Sequence, residues 1–312
     1  MFDKERFGKI LVPLVTSYAE SDQALDYQAT VEIAKILVRT KRADSIIVAG
    51  TTGEFFTMMH EERVKLLETV HQELSGQIPL IAGVGAASTA ESMQLARIAR
   101  DIGYEMAMVV SPYYTKPTQR ELYEHFAAVA GVTDMSLLLY NIPIFTGVNV
   151  DPRTVEELSR ISNIVGIKEE AELNAKQVTE FVNVTPEDFI IYCGDDTMII
   201  ESFAQGGGKR VGGVVSGGSH LIGVEIRAMI DTFLAGNVAE AAAEQQRILP
   251  LFRIMGQNGR TNPVALLKEA MKMIGYPAGI PRQPLLPGTP EETNAVKAVM
   301  EKIGVTEITS AA

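Results

Sequence analysis

Lys168 is the residue whose setting most strongly indicates covalent chemistry. It closes the apolar run Ile164–Lys168, whereas most other lysines lie in polar stretches with helical periodicity. An apolar setting favours the neutral form of an amine, and the neutral form is the one that attacks a carbonyl carbon. A second interpretation stays open, in which Lys168 only pairs with Glu169 or Glu170 at the end of a strand.

One tyrosine and two threonines also stand at the ends of apolar runs. Tyr140 ends the run before that of Lys168, and a phenol beside an imine-forming lysine can move protons. A core aromatic is the alternative interpretation of Tyr140. Thr51 and Thr52 open a turn before a helix, where hydroxyls and backbone amides can bind a carboxylate without a basic side chain. Such a turn is otherwise only a tight connection.

Other groups of polar residues give weaker indications of a functional site. Asp195 and Asp196 follow an apolar run and could hold a divalent metal, which is the basis for a metal-dependent alternative. The glycine run at 206–208 lacks the spacing of a phosphate-binding loop and is expected to form a turn. The four histidines, at 60, 71, 125 and 220, are too scattered to indicate a catalytic group or a metal site.

The elements that must position these residues alternate between short apolar runs and amphipathic stretches. Eight runs rich in Ile, Val and Leu suit strands buried on both faces of a parallel sheet. Eight strands in β-α order predict an α/β fold, a (β/α)8 TIM barrel, in preference to a doubly wound open sheet. The runs are Ile10–Val15, Ser45–Ala49, Leu80–Val84, Met106–Val110, Ser136–Tyr140, Ile164–Lys168, Phe189–Cys193 and Arg210–Ser216.

The strand-like runs end before Leu221, and the remainder reads as helices. We therefore predict a barrel catalytic domain over residues 1–223 and an appended C-terminal helical region over residues 224–312. The predicted helices of the second region are Val224–Leu234, Val238–Met255, Pro263–Ile274 and Pro290–Ile303.

Composition limits the classes of partner. The 312 residues include 28 basic and 39 acidic ones, a net charge of −11, which argues against nucleic-acid and anionic-membrane partners. A single cysteine, Cys193, excludes an intrachain disulfide and a cysteine-based zinc site. The N-terminal apolar stretch is broken by Pro13 and is neither a signal segment nor a membrane span, so a cytoplasmic protein is expected.

Five motifs at the predicted strand ends, taken in order, resemble the dihydrodipicolinate synthase and N-acetylneuraminate lyase superfamily. They are GTTGE at 50–54, SPYY at 111–114, YNIP at 140–143, GIKE at 166–169 and CGDD at 193–196. The resemblance covers nearly the whole chain. It implies a (β/α)8 barrel with C-terminal helices, assembled as a homotetramer that is a dimer of dimers.

The resemblance also implies roles for individual residues. Lys168 matches the lysine that forms a Schiff base with a 2-keto acid, commonly pyruvate, so that the covalent lysine imine replaces any cofactor. Tyr140 matches the proton-relay tyrosine, and Thr51 and Thr52 match the pair that binds the carboxylate and joins the relay. Tyr114 matches the relay tyrosine that a neighbouring subunit lends in the synthases.

Three further residues are predicted to contact substrate. Val215 matches the position whose backbone carbonyl faces the keto acid, and Gly194 lies at the end of the seventh run. Phe145 stands where the synthases usually carry an arginine that holds the incoming acid, and phenylalanine cannot form that bidentate pair.

Phe145 therefore favours a Schiff-base lyase acting on pyruvate or a 2-keto-3-deoxy acid. A 4-hydroxy-tetrahydrodipicolinate synthase, which condenses pyruvate with aspartate semialdehyde, is the first alternative. A metal-dependent barrel lyase and a non-catalytic solute-binding protein are alternatives from other classes. Regulation by lysine stays open, because the family's regulatory site is only partly matched: Ala87 and Arg63 replace polar groups expected there.

Overall fold

The computed structural model describes residues 3–170 and 176–308, and a closed barrel of parallel strands lies at the centre of this part of the chain. The first strand pairs with both the second and the eighth, which closes the sheet. The predicted (β/α)8 barrel is thereby confirmed. The strands are β1 (Ile10–Pro13), β2 (Ser45–Val48), β3 (Leu80–Gly83), β4 (Met106–Val110), β5 (Ser136–Asn141), β6 (Ile164–Glu169), β7 (Ile190–Cys193) and β8 (Val211–Val215).

Helices surround the barrel and continue beyond it. Those after β8 pack on one another and on the barrel wall. In the described residues they are α1 (Lys4–Phe7), α2 (Tyr27–Arg39), α3 (His60–Leu74), α4 (Thr89–Ile102), α5 (Gln119–Ala130), α6 (Pro143–Thr146), α7 (Pro152–Leu158), α8 (Gln177–Val184), α9 (Ile199–Arg210), α10 (Ser219–Leu234), α11 (Val238–Met255), α12 (Val264–Met273) and α13 (Pro290–Ile303).

Local sequence accounts for most of these bounds. The strands are almost wholly buried, as expected for runs without polar alternation. Helix α4 begins after Ser88, whose hydroxyl accepts the Glu91 amide at 3.2 Å. None of the helices in the described part of the chain is long and apolar enough to cross a membrane.

The glycines at 206–208, where a turn was predicted, lie within the bounds of α9, which continues to Arg210. The backbone still leaves the helical conformation at Gly207, where φ is 61° and ψ is 175°, so the chain bends at the predicted place without a separate turn. The Arg210 guanidinium fixes the end of the helix, because it donates to the Val182 carbonyl at 2.9 Å and to the Thr185 hydroxyl at 2.7 Å. Such long-range bonds have no signature in a glycine-rich sequence.

The approach of β6 to β7 depends on a residue without a side chain. A Cβ at Gly166 would lie 2.2 Å from the Ile190 carbonyl oxygen, so any larger residue would force the two strands apart. Gly166 lies two positions before Lys168 and on the same face of the strand.

Gly166→Ala should therefore lower the free energy of unfolding by about 1–3 kcal/mol, the usual cost of overpacking. Thermal unfolding followed by circular dichroism measures the change. Gly131→Ala is the matched control, since the nearest atom to a Cβ there is 3.4 Å away. Equal midpoints for the two variants would contradict the contact.

Candidate functional site

A cavity of about 310 Å³ opens at the carboxyl ends of the strands. Active sites of this barrel fold lie at that face. The structure brings seven of the predicted site residues to its wall, together with Glu170 and residues from the helices after β8. The predicted residues on the wall are Lys168, Tyr140, Thr51, Thr52, Val215, Gly194 and Phe145.

Lys168 reaches the cavity with its side chain only 7% exposed. Its Nζ lies 3.8 Å from the centre of the Tyr140 ring and 2.9 Å from Glu170 Oε2. Glu169 faces the other way, where Asn141 and Gln177 donate to its carboxylate at 3.0 Å each. The sequence left Glu169 and Glu170 as possible partners of Lys168. In the described contacts, Glu170 is the one that pairs with its amine.

Tyr140 is buried beside Lys168 because the two residues are direct partners across β5 and β6. Its hydroxyl donates to Glu170 Oε2 at 2.7 Å. Burial raises the pKa of the phenol well above its usual value, and the charge and hydrogen bond of Glu170 raise it further, whereas a hydrogen bond with Thr51 lowers it. Tyr140 is therefore a proton donor at neutral pH, and it can accept a proton only while it gives one away.

A buried ion pair stabilises the turn that contains Thr51 and Thr52. Glu54, the last residue of the GTTGE motif, has φ 60° and lies 2.5 Å from Lys268 of α12. Lys268 also donates to the Ile280 carbonyl at 2.7 Å, and burial lowers the pKa of its ammonium, a shift that Glu54 opposes. The region after the barrel thus fixes the position of Thr51 and Thr52.

Gly194 leaves room for the reactive pair. A Cβ at this position would lie 2.8 Å from Lys168 Cε and 2.7 Å from Glu170 Cβ. The glycine therefore lets β7 end close to both side chains.

The mouth of the cavity is apolar where a substrate carboxylate would need a cation. Ile144 and Phe145 line it and are 50% and 37% exposed. Among the described lining residues, Arg260 is the cation besides Lys168. Its guanidinium is already occupied, because it donates to both carboxylate oxygens of Glu292, at 2.9 and 2.8 Å, and to the carbonyls of Leu286 and Pro287.

Asp195 and Asp196 take part in local hydrogen bonds. Asp195 Oδ1 accepts the Thr197 amide at 2.7 Å, and Asp196 Oδ2 accepts the Gly218 amide at 2.8 Å. No group of three or more His, Cys, Asp or Glu side chains within residues 3–170 and 176–308 is placed to hold a metal ion.

Tyr114 is the predicted site residue that lies apart from the others. It is 92% exposed on the loop after β4, with φ 76°, and it does not belong to the described wall of the cavity. Its own chain therefore does not bring it to Lys168.

Sequence inspection missed several residues of the wall. Phe252, Arg260 and Asn262 come from the region after the barrel and reach the cavity from the side. They follow no strand, so the rule that working residues stand at strand ends could not find them.

Asp196 gives a pH-dependent test of this geometry. Burial raises its pKa to about 6, hydrogen bonds with Ser216 and the Gly218 amide lower it, and the charges of Asp195 and Glu170 raise it. A carboxyl whose pKa is higher in the folded chain costs stability once it ionises. Between about pH 4.5 and about pH 7.5, the thermal midpoint of the wild type should fall relative to that of Asp196→Asn. A constant difference over this range would contradict the burial of the carboxyl.

The chain is similar to known proteins of one family over nearly its whole length. The profile of the dihydrodipicolinate synthetase family matches residues 6–303. The chain is 41% identical over 300 residues to the 4-hydroxy-tetrahydrodipicolinate synthase of Symbiobacterium thermophilum, covering 96% of this chain and 99% of the relative. Two solved synthase structures are also similar. The structure from Bacillus anthracis has a TM-score of 0.88 at 34% sequence identity. The structure from Cyanidioschyzon merolae, with lysine bound, has a TM-score of 0.90 at 33% sequence identity. Each comparison covers 96% of this chain and 99% of the other chain.

Proposed function

Since this chain belongs to the dihydrodipicolinate synthetase family, a family of class I lysine Schiff-base lyases, we propose that Lys168 is the residue that forms the imine. The observation that carries this proposal is the position of its Nζ, in the cavity and 3.8 Å from the ring of Tyr140. The substrate that fits is a small 2-keto acid, such as pyruvate or a 2-keto-3-deoxy acid.

The chemistry follows from an amine beside a proton donor. Neutral Lys168 attacks the ketone carbon, and loss of water leaves an iminium ion. The iminium withdraws electrons, so the adjacent carbon loses a proton to give an enamine. The enamine then adds to an aldehyde, and the reverse steps release one. Dehydration through the same imine is the other outcome.

The other side chains have supporting roles in this proposal. The hydroxyls and amides of Thr51 and Thr52 bind the keto-acid carboxylate, and Thr52 joins Tyr140 in moving protons. The Val215 carbonyl and Gly194 contact the same molecule. The exposed Tyr114 serves the site of a neighbouring copy in a dimer of dimers, which explains its separation from its own cavity.

The apolar mouth favours a second reactant that carries no carboxylate at that end. Phe145 and Ile144 cannot pair with an anion. The guanidinium of Arg260, which also lines the cavity, is already hydrogen-bonded to Glu292. An aldehyde with an apolar or hydroxylated end fits this surface, as does a 2-keto-3-deoxy acid in the cleavage direction.

Condensation of pyruvate with aspartate semialdehyde is the second candidate. The names of the relatives favour it, since a protein 41% identical over almost its full length is called 4-hydroxy-tetrahydrodipicolinate synthase. The two candidates share the imine and differ in what the mouth must bind.

Reductive trapping tests the shared step. Incubation with pyruvate and a series of other 2-keto acids, followed by borohydride, should give a covalent adduct that peptide mapping places on Lys168. Lys168→Ala should abolish it, whereas Lys209→Ala, at an exposed lysine paired with Glu187, should label like the wild type. An adduct on another residue, or none with any keto acid, would overturn the proposal.

Substitution at the mouth separates the two candidates. Wild-type turnover of aspartate semialdehyde should be poor, and Phe145→Arg should improve its kcat/KM at least about tenfold, because a guanidinium adds a charged hydrogen bond to the carboxylate. Phe145→Leu, which keeps the position apolar, should give no such gain. Efficient wild-type turnover of this aldehyde would instead support the synthase.

A further inference from the structure

Glu170 is shared by the two groups on which the proposed function depends. Its Oε2 lies 2.9 Å from Lys168 Nζ and 2.7 Å from the Tyr140 hydroxyl. Its side chain is 19% exposed and lies on the wall of the cavity. One carboxylate oxygen therefore bridges the amine and the phenol at the point where a keto acid would react.

The backbone fixes this placement. Glu170 follows β6 two positions after Lys168, so both side chains face the interior, and its amide donates to the Asn141 carbonyl at 3.0 Å. The absence of a side chain at Gly194 leaves space for both groups. The carboxylate is thus built into the end of the strand that carries the lysine.

We propose that Glu170 is a catalytic acid–base residue, which takes a proton from the Lys168 ammonium and returns it to the departing oxygen of the keto acid. This inference rests on the proposed function, because it concerns how the same imine forms. It assigns to this side chain a step that otherwise falls to Tyr140.

The proton balance of the step closes within these residues. The Glu170 carboxylate accepts a proton from the ammonium, and the neutral amine then forms a bond to the keto carbon as the carbonyl π bond opens. A proton moves from nitrogen to oxygen to give the carbinolamine. The carboxylic acid of Glu170 protonates the hydroxyl, water leaves, and an iminium faces a carboxylate again. No oxidant, reductant or co-reactant is needed.

Tyr140 cannot hold this proton by itself. The raised pKa of its buried phenol keeps it protonated at neutral pH, so it passes a proton only in exchange for another. The hydrogen bond from Tyr140 to Glu170 gives such an exchange an acceptor. In this proposal the Glu170 carboxylate holds the proton between steps, and the Tyr140 phenol transfers it.

The rival role for Glu170 is that of a counter-ion alone, and it predicts the opposite effect. A neighbouring carboxylate favours the protonated form of an amine. If that were its whole effect, Glu170→Gln would leave more of the amine neutral and would speed imine formation. Loss of an acid–base group would instead slow imine formation, since such groups accelerate reactions by about 100-fold or more in other enzymes.

The test is the rate of imine formation with pyruvate. Enzyme and pyruvate are mixed, the reaction is quenched with borohydride after short times, and mass spectrometry gives the fraction of protein that carries the adduct on Lys168. At neutral pH, Glu170→Gln and Glu170→Ala should trap at least about tenfold more slowly than the wild type. Added formate, a small carboxylate, should restore part of the rate of Glu170→Ala. Glu187→Gln, an exposed carboxylate on the surface, is the matched control and should trap at the wild-type rate.

Each outcome decides the question. Trapping by Glu170→Gln at or above the wild-type rate would overturn the acid–base role and leave the proposed function standing. No adduct on the wild type with any 2-keto acid would overturn both. Circular dichroism checks the fold, and should the Gln variant be misfolded, Glu170→Asp decides: slower trapping supports the role, and an unchanged rate overturns it.

Discussion

The parallel register between β5 and β6 sets Tyr140 and Lys168 side by side, and the geometry of the cavity depends on that pairing. The register shifts between Leu137 and Leu138, where Val165 is passed over, so the upper part of β6 is offset by one residue. Side chains of a strand alternate between its two faces. Without the offset, Glu169 would stand on the face that Lys168 occupies, and the amine would point at the surrounding helices.

Charge inside the cavity is concentrated on a few largely buried groups. Lys168 is the amine, Glu170 its neighbouring carboxylate, and Tyr140 the phenol bonded to the same oxygen. Asp196 stands close enough for the charge of Glu170 to raise its pKa. Electrostatic interactions are stronger where water is excluded. Each proton that moves among these groups therefore changes the energy of the others.

Much of the barrel could be predicted from sequence, because strands buried on both faces carry long apolar runs that end where the chain turns. The runs ending in Lys168 and Tyr140 differ from β6 and β5 by one residue. Helix α8 gave no comparable signal in its eight residues, and the continuation of α9 through the glycines at 206–208 was not foreseen.

The wall of the cavity was less accessible to sequence reasoning. The strand-end residues could be found because one rule places them all at the same face. Arg260 and Phe252 reach the cavity through packing of helices, which depends on distances that a sequence does not contain. The choice of Glu170 over Glu169 as the partner of Lys168 depends on strand alternation together with the offset in β6, and sequence alone left both open.

The ion pair between Glu54 and Lys268 joins a turn of the barrel to a helix more than two hundred positions later in the chain. Both side chains are fully buried, and an unpaired charge left in such a place costs about 3–5 kcal/mol. Loss of the Lys268 side chain alone would leave the Glu54 carboxylate, two positions after Thr52 in the same motif, without this partner. The predicted boundary near residue 223 therefore does not divide the molecule into interchangeable parts. In recombination between relatives, the threonine turn and α12 have to be inherited together.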